Sequence, residues 1–247
     1  MTFAILADIH ANSFALDAVL ADMGDLGIAK AVILGDHLSG PIDAAGTAER
    51  LMARSYPSIR GNHDRWLIEQ DPAAMGVTDR VSHAVLSRAH LDWLAGLPPT
   101  LTVFDDVFLC HGTPRSDVTY WLERVEPSGV VRAASRAETE AEAAGIEASL
   151  ILCAHTHIPR AVRLGDGRMV VNPGSVGCPA YDDDTPVYHR MQTGTPHASY
   201  AIAERRGASW TITHRSVPYA SDAAAAEARR QGRDDWAHAL ATGWYAR

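Results

Sequence analysis

Cysteine, aromatic residues and long apolar runs are all scarce in this chain of 247 residues. Its three cysteines are odd in number and share no repeated spacing, which argues against a disulfide framework and favours a reducing compartment. No apolar run approaches the roughly 18 residues that span a membrane, and a strand-like segment begins at residue 3, where a signal peptide would lie. We therefore expect a cytoplasmic protein that does not enter a membrane.

Positive charge is also in short supply. With 22 Lys and Arg against 30 Asp and Glu, the net charge is −8, which argues against an extended nucleic-acid interface. A small phosphate ester remains compatible as a substrate, because bound cations can reverse the local charge. No repeat, linker or change in composition divides the sequence, so we expect a single domain over residues 1–247.

The stretch over residues 3–12 organises the rest of the sequence. A short apolar run stops at Asp8, and His10 follows two residues later. Such a run is typical of a buried strand in a parallel or mixed sheet, and open α/β sheets bind ligands at the carboxyl ends of their strands. Residues i and i+2 of an extended segment project to the same side, so these two side chains could bind one ion together.

The following pattern alternates strands and helices. An amphipathic helix over residues 13–26 and a second apolar strand over 30–34 complete a βαβ unit. Further strands are predicted at 57–60, 100–104, 107–110 and 150–153, with hairpins at 160–171 and 199–214. The remaining segments are predicted as a helix at 44–53, a helical insert at about 65–100, an insert at about 113–148 that begins as a loop and ends as a helix, a polar loop at about 181–196, and C-terminal helices at about 221–242.

Four further strand ends repeat the opening layout. Polar side chains follow apolar strands at Asp36, Asn62, His111 and the pair His155 and His157. Carboxylates, an amide and imidazoles together are ligands for Mn, Fe, Zn, Ni or Co, and the lack of cysteine in the set disfavours a closed structural zinc site. The set exceeds the needs of one ion, so we expect two divalent metal ions that share a carboxylate.

Each of these signals also has an ordinary structural explanation. A single histidine at a strand end is usually a loop residue, and Gly-Asp is usually a turn. We keep that explanation for the other histidines of the chain, which are His37, His83, His90, His189, His197, His214 and His238. For His37 and His189 a role near the site is left open. Five strand-end signals in one chain are much harder to explain in this way.

The ordered series of motifs resembles the calcineurin-like metallophosphoesterase superfamily, over residues 3 to about 214. The motifs are Asp8-x-His10, Gly35-Asp36, Gly61-Asn62-His63-Asp64, His111-Gly112 and His155-x-His157, and Asn172-Pro173-Gly174-Ser175 is similar to a segment of the small bacterial and archaeal phosphodiesterase branch. The resemblance implies an α/β fold, a four-layer α/β/β/α sandwich in which helices flank two mixed β-sheets.

The resemblance also implies a division of the ligands. It places Asp8, His10, Asp36 and His157 around one metal, with Asp36 bridging to a second. The second metal is then held by Asn62, His111 and His155, and His63 is a histidine that faces the substrate without binding metal. One departure is Gly35-Asp36-His37-Leu38-Ser39-Gly40, where many members continue with Asp-Arg-Gly. This departure argues against a protein phosphatase or a dinucleoside-polyphosphate hydrolase.

The expected function is hydrolysis of a small or nucleotide-like phosphate ester, with a phosphodiester preferred. A metal-bridging hydroxide would attack phosphorus in line, His63 would act as general acid, and Asp64 would accept the other ring N–H of His63. Two alternatives remain open: a serine/threonine protein phosphatase of the same superfamily, and a non-catalytic interaction scaffold such as the retromer subunit that resembles it.

Overall fold

The computed structural model describes residues 1–246. The first half of the chain forms β1 (Thr2–Leu6), α1 (Ser13–Asp25), β2 (Ala31–Ile33), α2 (Ala44–Met52), α3 (Asn62–Glu69), α4 (Val77–His83), α5 (Arg88–Ala95), β3 (Leu101–Val103), β4 (Val107–Leu109), β5 (Glu123–Val125) and β6 (Val131–Ala133). The second half forms α6 (Arg136–Glu142), β7 (Leu150–Leu152), β8 (Arg160–Arg163), β9 (Met169–Asn172), β10 (Ala180–Asp183), β11 (His189–Gln192), β12 (Ala198–Arg206), β13 (Ser209–Val217), α7 (Ser221–Arg230) and α8 (Asp234–Thr242).

Two mixed sheets form the centre of the fold. The first has the strand order β13-β12-β1-β2, and the second has the order β3-β4-β7-β9-β8. Strands β1 and β2 are parallel, as are β4, β7 and β9, whereas β12 and β13 of the first sheet and the edge strands β3 and β8 of the second pair antiparallel. The predicted βαβ unit at the N-terminus is confirmed.

Alternate residues of β1 supply two different cores. Phe3 and Ile5 point between the two sheets, where they pack with residues such as Leu109 and Leu152. Ala4 and Leu6 point the other way, into a core that includes the helices on the outside of the first sheet. Because both faces of the strand are covered, its sequence is continuously apolar rather than alternating.

The outer face of the second sheet has its own cover. Ile151 and Val170 pack there against Trp121 and against Ala143 at the end of α6. The order of layers is therefore helices, sheet, sheet, helix. The predicted four-layer α/β/β/α sandwich of two mixed sheets is confirmed.

The strand predicted at 57–60 is reduced to a single parallel bridge between Ile33 and Ser58. Pro57 has no backbone N–H to donate, and the backbone N–H of Arg60 donates to the Pro98 carbonyl outside the sheet, at 3.0 Å. The segment therefore follows the edge of β2 without extending the ladder.

The prediction of a loop over 181–196 was wrong. Strands β10 and β11 form an antiparallel hairpin there, with Asp183 opposite His189. A second missed hairpin, β5–β6, lies inside the insert at 113–148. Aspartate is disfavoured in strands, so the run Asp182-Asp183-Asp184 predicted a loop, but tertiary contacts override such preferences in short half-exposed hairpins.

The parallel strands position the candidate site. The carboxyl ends of β1 and β2 in one sheet, and of β4 and β7 in the other, face the same rim of the sandwich. Each of these four strands is followed directly by one of the predicted polar motifs. No helix among residues 1–246 combines the length and the apolar character that crossing a membrane demands.

Candidate metal centre

The seven predicted metal ligands lie together at this rim, and all are buried. Their donor atoms form two close groups, Asp8 with His10 and His157, and Asp36 with His111 and His155. Within each group the donor atoms lie within 4.8 Å of one another. Asn62 joins the second group, because its side-chain oxygen is 3.0 Å from Nε2 of His111. We call these seven residues the floor of the site.

The backbone of the floor is unusual. Five of its residues have positive φ values between 50° and 70°: Asp8, His10, Asp36, His155 and His157. This left-handed region is costly for residues with a Cβ, and a protein retains it mainly where the surrounding structure requires it. The strained turns aim side chains from different strands at one point.

Backbone carbonyls fix the ring orientation of three histidines. Nδ1–H of His10 donates to the Ser39 carbonyl at 2.8 Å, and Nδ1–H of His157 donates to the Cys178 carbonyl at 2.7 Å. Nδ1–H of His111 donates to the carbonyl of Leu34 at 2.7 Å. A neutral imidazole protonated at Nδ1 carries its lone pair on Nε2, so in the neutral form each of these rings offers an Nε2 lone pair to the site.

The inward-facing atoms are nitrogen and oxygen atoms crowded against one another. Nε2 of His10 and Nε2 of His157 are 3.2 Å apart. Nε2 of His111 faces Oδ2 of Asp36 at 3.3 Å, and Oδ1 of Asp8 is buried without a hydrogen-bond partner. Nitrogen and oxygen acceptors arranged in this way fit divalent transition-metal ions, which accept electron pairs from both.

Asp36 is placed to serve both groups. Its Oδ2 atom is 3.3 Å from Nε2 of His111 and 3.8 Å from Nε2 of His10, which belongs to the other group. Oδ1 of Asp8 has a similar intermediate position, 3.5 Å from Nε2 of His157 and 3.8 Å from Nε2 of His111. Both carboxylates therefore lie between the two groups of imidazoles.

Burial and neighbouring charges act in opposite directions on the ionisable groups of the floor. Burial opposes ionisation of Asp36, but the charges of His111 and His63 outweigh burial and hold the pKa of this carboxyl well below its usual value. Burial also opposes the charge of His111, yet the Asp36 carboxylate raises the pKa of this imidazole to about 9. For His155, burial dominates and lowers the pKa to about 3, so this ring is neutral and free to bind metal.

Asp64 does not contact the ring of His63, contrary to the sequence-based expectation. Its carboxylate instead accepts hydrogen bonds from the backbone N–H groups of Asp36 at 2.8 Å and Gly61 at 3.0 Å. It also accepts from the backbone and from Nδ1 of His37, at 2.9 and 2.7 Å. Asp64 therefore joins the two loops that carry Asp36 and Asn62, and His37 belongs to that support.

The partner of His63 is Asp79, which the sequence analysis missed. Oδ1 of Asp79 lies 2.7 Å from Nδ1 of His63 and accepts a second hydrogen bond from Ser39 at 2.6 Å. The His63 side chain is 27% exposed, unlike the floor, and its ring lies 5.5 Å from that of His10. Burial opposes protonation of His63, but Asp36 and Asp79 raise its pKa above the ordinary value.

The segment Asn172-Pro173-Gly174-Ser175 supports the floor from behind. The amide of Asn172 donates to the carbonyl of Ala154 at 2.9 Å and to Oγ1 of Thr156 at 3.0 Å. Oγ of Ser175 donates to the carbonyl of Asp8 at 2.7 Å. The segment thus holds the loops of two floor motifs, which explains its place among them.

A second support lies beside His155. Tyr181 donates its hydroxyl to the carbonyl of His155 at 3.0 Å, and the hydroxyl of Tyr120 lies 2.9 Å from that of Tyr181. Nε2 of His189 lies 3.0 Å from the Tyr120 hydroxyl. His189 is therefore linked to the site through two tyrosines rather than by direct contact. The three cysteines, Cys110, Cys153 and Cys178, are free, as the sequence predicts, and all three are buried.

A cavity of about 510 Å³ opens above the floor. Its outer part is lined by residues that we call the wall: Trp66, Tyr181, Asp182, Asp183, Arg233 and Trp236. Each aromatic wall residue packs against a different histidine at its edge. The ring centroids are 4.7 Å apart for Trp66 and His63, 5.7 Å for Trp236 and His10, and 4.6 Å for Tyr181 and His157.

Comparison with known proteins agrees with this geometry. The sequence pattern of the calcineurin-like phosphoesterase superfamily domain matches residues 1–196. A metallophosphoesterase from Sphaerobacter thermophilus is 25% identical over 99% of this chain and 100% of its own, with a TM-score of 0.74. A hypothetical protein from Pyrococcus horikoshii OT3 is 20% identical over 99% of both chains, with a TM-score of 0.75. No curated protein matches the chain at a significant level. The chain belongs to the calcineurin-like phosphoesterase superfamily.

Proposed function

We propose that this protein is a phosphodiesterase that depends on two divalent metal ions and hydrolyses a small phosphate ester. The observation that carries the proposal is the pair of ligand groups with Asp36 between them, beside the partly exposed ring of His63. Asp8, His10 and His157 would hold one ion. Asn62, His111 and His155 would hold the other, with Asp36 reaching both.

Ions bound at the floor would supply Lewis acidity to the phosphoryl oxygens and lower the pKa of an attacking water toward roughly 7. The remaining tasks fall to side chains. His63 faces the cavity and would donate a proton to the leaving oxygen. Asp79 keeps this imidazole oriented and favours its protonated form. Asp64 acts one step further away, by fixing the loop of Asp36 against the loop of Asn62.

The two alternatives receive less support. A serine/threonine protein phosphatase needs an open, shallow groove for a protein segment, whereas the cavity here is bounded by the wall. A non-catalytic scaffold has no need of His63 or of a full ligand set, and this chain retains both. The few cysteines favour a cytoplasmic enzyme, and the continuous cores around both sheets favour a single domain.

A hydrolysis screen with Mn²⁺ tests the proposal. Bis-p-nitrophenyl phosphate, p-nitrophenyl phosphate and cyclic nucleotides would be compared, first with the metal-loaded protein and then after chelation. We expect the diester to have the highest kcat/KM and chelation to remove the activity. Turnover that survives complete metal removal would contradict the proposal, and a strong preference for the monoester would restrict it to a phosphatase.

A further inference from the structure

The wall has a chemical character of its own. Its aromatic rings form the sides of the cavity. Its charged groups are the carboxylates of Asp182 and Asp183 and the guanidinium of Arg233, and the carboxylate of Asp235 lies beside them. The guanidinium of Arg233 is already paired, because it donates to both oxygens of Asp235 at 2.9 and 2.6 Å. Asp182 and Asp183 form no salt bridge within residues 1–246. Two carboxylates without an ion-pair partner therefore face the outer cavity; Oδ1 of Asp183 accepts a hydrogen bond from the backbone N–H of Thr185 at 2.8 Å, and Asp182 is hydrogen-bonded to Tyr245.

The wall is a built surface rather than a loose tail. Arg233 also donates to Oγ1 of Thr78 and so ties the start of α8 to α4. Past the end of α8, the backbone N–H of Gly194 donates to the carbonyl of Gly243 at 2.9 Å. Trp236 is thereby held with its ring against His10. The position of the aromatic surface is set before any substrate arrives.

Aromatic faces beside carboxylates favour positive charge. The ring quadrupole attracts cations, and a carboxylate in a partly desolvated cavity adds Coulomb attraction. The structure already contains one example, since the guanidinium carbon of Arg233 lies 5.9 Å from the ring centroid of Trp236. An anionic group in the same place would meet Asp182 and Asp183. Ions bound at the floor would attract the phosphoryl group rather than the rest of the alcohol.

We propose that the outer cavity selects phosphate esters whose alcohol carries an ammonium-type cation, and that Asp182, Asp183 and Trp236 are the residues that determine this specificity. This inference rests on the proposed phosphodiesterase function and narrows its substrate class. It also excludes substrates with additional phosphates beyond the scissile one, because those charges would lie against the wall carboxylates.

The test uses three diesters that share a p-nitrophenyl leaving group. Their second alcohols are choline, 3,3-dimethylbutanol (which has the shape of choline without the charge) and 3-hydroxypropanoate, which is anionic. For the Mn²⁺-loaded protein we expect kcat/KM to be about tenfold higher for the choline ester than for its neutral counterpart. The anionic ester should be the poorest substrate. Equal or reversed values for the charged and neutral esters would overturn the inference.

Variants assign the selectivity to the wall. Asp182→Asn and Asp183→Asn should each reduce the choline-to-neutral ratio about threefold, and Trp236→Leu should reduce it further. Asp184→Asn is the matched control, because Asp184 follows directly in the sequence but is exposed and outside the cavity. An unchanged ratio in the Asp182 and Asp183 variants would also overturn the inference.

A binding measurement separates the inference from the proposed function. Calorimetry would compare phosphocholine with 3,3-dimethylbutyl phosphate on the same metal-loaded protein. If none of the esters is hydrolysed but phosphocholine binds about tenfold more tightly, the proposed hydrolysis fails and the specificity of the wall stands. If the neutral ester is hydrolysed and both phosphates bind equally, the hydrolysis stands and the specificity fails.

Discussion

The floor and the wall of the cavity are constructed in different ways. Floor residues are buried, all but Asn62 follow on strands, and most of them adopt left-handed backbone conformations. Their rings are oriented by main-chain carbonyls such as those of Ser39 and Cys178. Wall residues are half-buried, come from a hairpin and two helices, and are held mainly by side-chain contacts such as that between Arg233 and Asp235.

The difference suggests that the floor carries out metal binding and catalysis, whereas the wall determines which substrate is accepted. A floor that is oriented by the backbone tolerates little change, because each turn is needed to aim a ligand. A wall that is held by side chains can change its chemistry while the sheets stay intact. Arg233 and Trp236 also lie beyond residue 196, where the match to the family ends. We therefore expect floor variants to abolish activity and wall variants to redirect it.

The largest effect should come from Asp36→Asn. This change removes the carboxylate that lies between the two ligand groups, so both metal ions should bind more weakly and kcat/KM should fall by about 10³–10⁴-fold. Elemental analysis of the purified variant and the bis-p-nitrophenyl phosphate assay measure the two effects. The same substitution in the wall, Asp182→Asn, should retain the metal. Two ions per chain in Asp36→Asn would contradict the bridging position.

His63→Ala should separate catalysis from metal binding. His63 lies at the boundary of floor and wall, and its loss removes the expected proton donor, so turnover should fall by about 10²–10⁴-fold while the metal content stays constant. His238→Ala provides the control, since this exposed histidine of α8 lies outside the cavity. Turnover near the wild-type value, or loss of metal from the His63 variant, would remove His63 from its assigned role.

Asp79→Asn should change the pH profile rather than the metal content. The general acid must be protonated, and the Asp79 carboxylate helps to raise the pKa of His63. Removing this charge lowers that pKa, so the alkaline limb of the kcat profile should move to lower pH by about one unit. Asp71→Asn, in an exposed position before α4, should leave the limb in place. A limb that stays fixed in Asp79→Asn would mean that another group supplies the proton.

The contrast between floor and wall also marks what sequence could predict. Six of the seven floor ligands follow apolar strands, so the parallel-strand pattern brings them to one rim, whereas Asn62 is the first residue of α3 beyond a single bridge. No sequence pattern points to Asp79, because this residue is 16 positions from His63 and reaches it only through the packing of a short helix. Asp64 was assigned to His63 from adjacency alone, although neighbours at the start of a helix point in different directions. The position of Trp236 at the cavity depends on how α8 packs against the rest of the fold, which the sequence does not show.

The smallest expected effect belongs to Arg233→Gln, and it tests whether the wall acts as a preformed surface. The change removes the ion pair with Asp235 and the contact with Thr78, so α8 should sit less firmly against α4. Since exposed or half-exposed ion pairs contribute up to about 1 kcal/mol, KM for bis-p-nitrophenyl phosphate should rise by about two- to fivefold with kcat unchanged.

Arg230→Gln removes a comparable ion pair to Glu227 on α7, away from the cavity, and should leave KM at the wild-type value. A fall in kcat without a change in KM would show that α8 acts on the floor through the contact between Trp236 and His10, and the separation between floor and wall would then fail.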